Sequence, residues 1–163
     1  MNTYVVENMP EIFWQEIKKN GWEIYFSTHK NKEAEIAIIR TQTFADRSFF
    51  DQFPNLKMLI RAGTGFDNID LSEAKMRNIV VCNTPEANAI SAFEHTISFI
   101  FSLIKQLKIS EKNLFSGNWK SGLLNNWELS DLKTLIVGVG RVGTKVAKAL
   151  QYFGAEVKGV DPY

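Results

Sequence analysis

Leu135-Ile136-Val137-Gly138-Val139-Gly140-Arg141-Val142-Gly143 is the stretch that decides the fold. An apolar run suited to a buried strand enters a GxGxxG turn, and a helix leaves it with Val142, Val146, Ala149, Leu150 and Phe153 on one side. In that setting Gly138 permits a tight turn, Gly140 lets a pyrophosphate approach the backbone, and Gly143 lets helix lie close on strand. The N–H groups of Arg141 and Val142 then face the phosphates. A second strand, Glu156 to Val160, ends at Asp161, whose carboxylate can accept both ribose hydroxyls of an adenosine and would repel a 2′-phosphate. The pattern favours NAD over NADP. The same residues also suit a non-binding glycine turn or an adenosylmethionine-type site.

Working back from that turn, short β-rich runs alternate with helical patterns: Thr3 to Glu7, Trp22 to Phe26, Glu35 to Ile39, Lys57 to Arg61 and Ile79 to Cys82 are strands. Between them Pro10 to Asn20, Asp46 to Gln52 and Leu71 to Arg77 are helices, so the spacing predicts a parallel α/β sheet. Pro10 opens the first helix and Gly21 closes it, while Asp70 caps the third and Asn78 ends it in the left-handed conformation. A long helix, Ile90 to Leu107, follows, with Phe93, Ile97, Ile100, Ile104 and Leu107 at helical spacing and Ser91 to Glu94 in capping-box spacing. Phe99, Phe101 and Leu103 make it apolar on more than one side, as expected of a helix joining two domains or two subunits. Ser116 to Asp131 reads as an irregular crossing. The first domain is expected over residues 1–96, and the linking helix with half of a dinucleotide-binding domain over 97–163.

Composition narrows the function classes. The 163 residues carry 19 Lys+Arg against 18 Asp+Glu, a net charge of +1, without the basic excess of a nucleic-acid binder. One cysteine, Cys82, and two histidines, His29 and His95, offer no disulfide and no zinc-ligand spacing, so no metal is expected. The longest apolar run is broken by Glu94 and His95 and predicts no membrane span; Met1 to Met9 holds Glu7 and no basic region, so no signal peptide is expected. A cytoplasmic chain is the expectation. Cys82 reads as core and His29, among lysines, as solvated surface.

At the carboxyl edge of the expected sheet, Gly63-Thr64-Gly65 has the form of a backbone nest for an anion, or of a tight turn that needs glycine. Arg40 holds a similar edge position and reads equally as a ligand contact or a surface charge.

The residues Arg61-Ala62-Gly63-Thr64-Gly65-Phe66-Asp67-Asn68-Ile69-Asp70, Asn83-Thr84-Pro85-Glu86-Ala87-Asn88, Ser91-Ala92-Phe93-Glu94, Gly117-Asn118-Trp119, and Gly138 to Gly143 with Asp161-Pro162-Tyr163 together resemble the D-isomer-specific 2-hydroxyacid dehydrogenases, and among them the 3-phosphoglycerate type. The resemblance implies a flavodoxin-like substrate domain, a long helix, and a Rossmann domain of which only the first β-α-β half is present. It implies an oxidoreductase that takes hydride from a small anionic 2-hydroxy acid to NAD, in a homodimer. It places Arg61, Gly63 and Thr64 in the loop that meets the substrate carboxylate, with Thr64 also near the nicotinamide, and Arg40 against a substrate phosphate. Arg141, Val142 and Asp161 match cofactor contacts, and Glu94 and Thr96 lie on the nicotinamide side. The basic residues that follow the tryptophan in phosphoglycerate-type members are here reduced to Lys120, followed by Ser121.

The family's catalytic arginine, acid and histidine lie downstream of Tyr163, so no catalytic residue is expected within these residues and the chain alone is expected to be inactive. His95 does not fill the gap: adjacent helix positions point about 100° apart, so Glu94 cannot orient it, and it reads as a packing or capping residue. The other reading of the chain is a non-catalytic module that senses a nucleotide or pairs with another subunit.

Overall fold

The computed structural model describes residues 2–26, 32–118 and 127–162. His29, Trp119, Lys120, Ser121 and Tyr163 lie outside the described residues. The chain forms two compact units, residues 1–87 and 88–163. The division falls ahead of the long helix, whereas the sequence boundary at residue 96 falls inside it.

The first unit holds β1 (Thr3–Val5), α1 (Glu11–Lys19), β2 (Ile24–Phe26), β3 (Ile36–Ile39), α2 (Arg47–Phe50), β4 (Met58–Arg61), α3 (Leu71–Met76) and β5 (Val80–Asn83). All strand pairs are parallel, in the order β2-β1-β3-β4-β5, which is the flavodoxin-like order. Strand alternation splits the apolar side chains between two faces. Tyr4, Ala37, Ile39 and Leu59 pack with Phe49, Phe50 and Phe53 on one face, and Val5, Ile38 and Ile60 pack with Phe13 and Trp14 of α1 on the other. Both faces are therefore covered, as a parallel sheet requires. Asp70 caps α3 by accepting from the Glu73 N–H at 3.0 Å, and Asn78 stands at φ 57° just beyond it.

The second unit holds α4 (Ala89–Ile104), α5 (Leu107–Phe115), a 3-10 turn (Leu129–Asp131), β6 (Lys133–Val137), α6 (Arg141–Tyr152) and β7 (Glu156–Val160). β6 and β7 pair in parallel, and α4 and α6 enclose Leu129, Val146, Leu150 and Ala155. Leu135 and Val137, on the opposite face of β6, are 62% and 82% exposed.

Two local expectations fail here. The long helix starts at Ala89, which is buried, behind Asn88, whose side chain makes no cap bond, so Ser91 lies inside the first turn and the capping box does not form. Burial of Ala89 outweighs one exposed cap bond. The helix also ends before Leu107: Gln106 takes a left-handed conformation at φ 48° and a separate helix, α5, begins. Cys82 is half-buried rather than fully enclosed. Among the described residues, no helix is long and apolar enough to cross a membrane, and no group of three His, Cys, Asp or Glu could hold a metal.

Candidate functional site

In the first unit the strand order reverses direction between β1 and β3, and parallel sheets bind ligands at the carboxyl ends of the strands beside such a switch point. Three groups project from that edge. Glu7 follows β1, Arg40 follows β3, and Arg61 ends β4.

Glu7 organises the loop after β3. Its carboxylate accepts the backbone N–H groups of Arg40 (2.8 Å), Thr43 (2.9 Å) and Gln42 (3.2 Å). Partial burial pushes its carboxyl up, but those N–H donors, joined by the Thr43 side chain, outweigh burial and hold it below the ordinary carboxylate range. Arg40 is exposed, and its guanidinium donates to the Asn8 carbonyl at 3.4 Å.

Arg61 is 5% exposed. Its Nε donates to Asn68 Oδ1 at 2.7 Å, and a terminal nitrogen lies 3.5 Å from Asp67 Oδ1. A Cβ on Gly63 would stand 2.9 Å from the Arg61 guanidinium, and one on Gly65 would stand 2.6 Å from Asp67 Oδ1. Gly63 therefore makes room for an arginine folded beneath the loop, and Gly65 for the Asp67 carboxylate. Of the two readings of 63–65, a nest or a tight turn, the nest is not formed, because a nest alternates right- and left-handed residues and none of these has a positive φ. The loop is tied instead to β5: Asn83 Nδ2 donates to the Thr64 carbonyl (2.6 Å) and Thr84 N–H to that of Gly63 (3.0 Å). Thr64 is exposed at the tip.

In the second unit the three glycines of the turn have three separate reasons. Gly138 stands at φ +91°, a conformation that L side chains rarely adopt. A Cβ on Gly143 would stand 2.0 Å from the Gly138 carbonyl oxygen, so α6 can lie against β6 only without one. A Cβ on Gly140 would meet nothing within 4 Å, leaving open space at the mouth of α6. The helix starts after Gly140, and the first-turn N–H groups of Val142 and Gly143 have no acceptor one helical turn back. Asp161, past the end of β7, accepts the N–H of Val139 inside the turn. A cavity of about 390 Å³ lies alongside, bordered by Thr96, Ile100, Gly138, Val142 and Gly143.

The structure thus groups Thr96 with the glycine turn in one unit, and Arg40, Arg61, Gly63 and Thr64 along one sheet edge in the other. Glu94 is exposed on α4 and does not border the cavity. His95 is exposed and packs its ring edge-on to Phe99, with centroids 4.3 Å apart, so packing is the role its contacts describe. Glu7 and Asn68 were not legible as site residues; their partners lie 33 and 28 positions away at Arg40.

Comparison with known proteins gives a consistent result. The family described as D-isomer specific 2-hydroxyacid dehydrogenase, catalytic domain, matches residues 5–157. A D-3-phosphoglycerate dehydrogenase from Archaeoglobus fulgidus is 32% identical over the whole of this chain and 32% of its own length. A second, from Mycobacterium bovis, is 34% identical over 80% of this chain and 25% of its own. Among solved structures, D-lactate dehydrogenase from Aquifex aeolicus, complexed with NAD and lactic acid, superposes on all of this chain and 52% of its own, with a TM-score of 0.85 and 27% identity. The chain spans about a third or less of these curated relatives and about half of that solved chain.

Proposed function

Because the chain belongs to the D-isomer specific 2-hydroxyacid dehydrogenase family, we propose that it supplies the substrate edge and the adenosine half-site of an NAD-dependent enzyme acting on a D-2-hydroxy acid, with 3-phosphoglycerate as substrate. The observation that carries the reading is the open space at Gly140 before the N-terminus of α6: a pyrophosphate fits where a side chain is missing, and backbone N–H groups face it. When bound, NAD would supply the acceptor for a hydride from C2 of the hydroxy acid, giving NADH as the alcohol becomes a carbonyl and its hydroxyl proton passes to a base.

Within this chain, the N–H groups of Arg141 and Val142 hold the phosphates, with Gly138, Gly140 and Gly143 shaping their approach. Asp161 accepts the ribose hydroxyls and disfavours a 2′-phosphate, and Thr96 and Glu94 border the nicotinamide side. Arg40 reaches the distal phosphate of the substrate. Arg61 lends positive charge from beneath the loop whose Gly63 and Thr64 face the carboxylate. None of these groups is a histidine held by a carboxylate, so the acid–base step is assigned to none of them and the 163-residue chain alone is expected not to turn over.

Calorimetry tests the reading: NAD and ADP bind, NADP binds more weakly, and Gly140→Val removes all three. Equal or tighter NADP binding, or full binding by Gly140→Val, would overturn it. The reading includes a homodimer, supported by the exposed Leu135 and Val137 on β6. A monomer in sedimentation at micromolar concentration would count against that part.

A further inference from the structure

Asn68 is buried, and its amide is fully used. The oxygen accepts Arg61 Nε–H at 2.7 Å, and the nitrogen donates to the carbonyls of Arg40 at 2.8 Å and Thr43 at 2.6 Å. The partners dictate which way the amide faces, since an arginine nitrogen can only donate and carbonyls can only accept. From the other side, Glu7 holds the N–H groups of the same two residues, Arg40 and Thr43. Arg40 therefore has its N–H and its carbonyl gripped by side chains from two different elements, and one of those side chains also grips Arg61.

We propose that Asn68 and Glu7 are positioning residues that fix Arg40 and Arg61 in one frame, so that the two cations bind, as a unit, a substrate with an anionic group at each end. The inference rests on the reading of both arginines as substrate-binding. Neither residue touches substrate; Glu7 acts through the 40–43 loop, and Asn68 through that loop and the Arg61 guanidinium. Aspartate at 68 would keep an acceptor for Arg61 but set a second oxygen against two carbonyls, releasing the loop while leaving the arginine held. Glutamine at 7 has one acceptor oxygen where three N–H groups converge, so it holds part of the loop.

The test is a nitrogen-15 resolved NMR titration of the 163-residue chain with 3-phosphoglycerate, with inorganic phosphate as the singly anchored probe. In the wild type the Arg40 amide and the Arg61 Nε–H move along one binding curve, and phosphate binds more weakly. Asn68→Asp weakens phosphoglycerate binding about tenfold, and Arg40→Ala, costly in the wild type, costs less than about twofold more in that background. Glu7→Gln, which makes no contact with Arg61, still shifts the Arg61 Nε–H signal, and this variant carries the test should Asn68→Asp fail to fold. If Arg40→Ala and Arg61→Ala weaken binding while Asn68→Asp and Glu7→Gln do not, or if Arg40→Ala costs the same in both backgrounds, the coupling is overturned and the substrate reading stands. If the wild type binds no phosphoglycerate, the substrate reading falls and takes the coupling with it.

Discussion

The Asp161 carboxylate accepts the backbone N–H of Val139, joining the end of β7 to the middle of the glycine turn. Val139 is held on its other side as well, since a Cβ on Gly159 would stand 2.7 Å from its side chain. The acid assigned to the ribose is thus also part of the framework of the phosphate site. Asp161→Ala is expected to weaken ADP and NAD about tenfold or more, since a hydrogen bond to a charged group contributes about 1.5–3 kcal/mol. NADP falls less, so the gap between the two cofactors narrows. Calorimetry with the three nucleotides measures it; an unchanged gap would mean that Asp161 only shapes the turn.

Gly140 and Gly143, three residues apart in the same turn, respond oppositely to one methyl group: Gly140→Ala finds open space and an ordinary φ of −73°, so denaturant stability stays within about 0.5 kcal/mol while nucleotide binding is lost. Gly143→Ala would drive Cβ into the Gly138 carbonyl and is expected to cost at least about 1–3 kcal/mol. Equal stability of the two variants would contradict the geometry.

Acid should loosen the loop after β3. The folded-state pKa of Glu7 is lowered, so its stabilising contribution is present above the ordinary carboxylate range, which centres near pH ~4.3, and is lost as pH falls through that range to the folded value. Urea midpoints measured between neutral and acid pH should fall less steeply in Glu7→Gln than in the wild type. Parallel curves would show that Glu7 does not contribute.

Core and surface positions within the second unit separate cleanly. Leu150 is 2% exposed and Leu103 78%, so Leu150→Ala should cost about 2–5 kcal/mol and Leu103→Ala within about 0.5 kcal/mol. Denaturant unfolding of both variants checks this; a large loss at Leu103 would show that α4 is covered in solution.

Legibility in the sequence followed the range of the interaction. Asp70 with Glu73, and Gly138 with Gly143, meet within a few residues, and residue type alone betrays the geometry. The short apolar runs around Tyr4, Ala37 and Leu59 likewise declare strands of a parallel sheet packed on both faces. The end of α4 was hidden because Leu103 and Leu107 keep the apolar period running through the Gln106 break. Gly63 and Gly65 make room for side chains rather than shaping their own backbone: Arg61 below Gly63 and Asp67 beside Gly65. Glu7 and Asn68 act across the sheet, where no local pattern records the partner.

The loop after β3 is held through its peptide groups by side chains that lie outside it, and Thr41 and Gln42 are exposed. Gln42 contributes to that hold only its N–H, which every residue except proline possesses. Exchange at positions 41 and 42 can therefore alter size, charge or polarity beside Arg40 while the path of the chain stays the same. A protein built this way can acquire a taste for a different acid by single substitutions, with little effect on whether it folds.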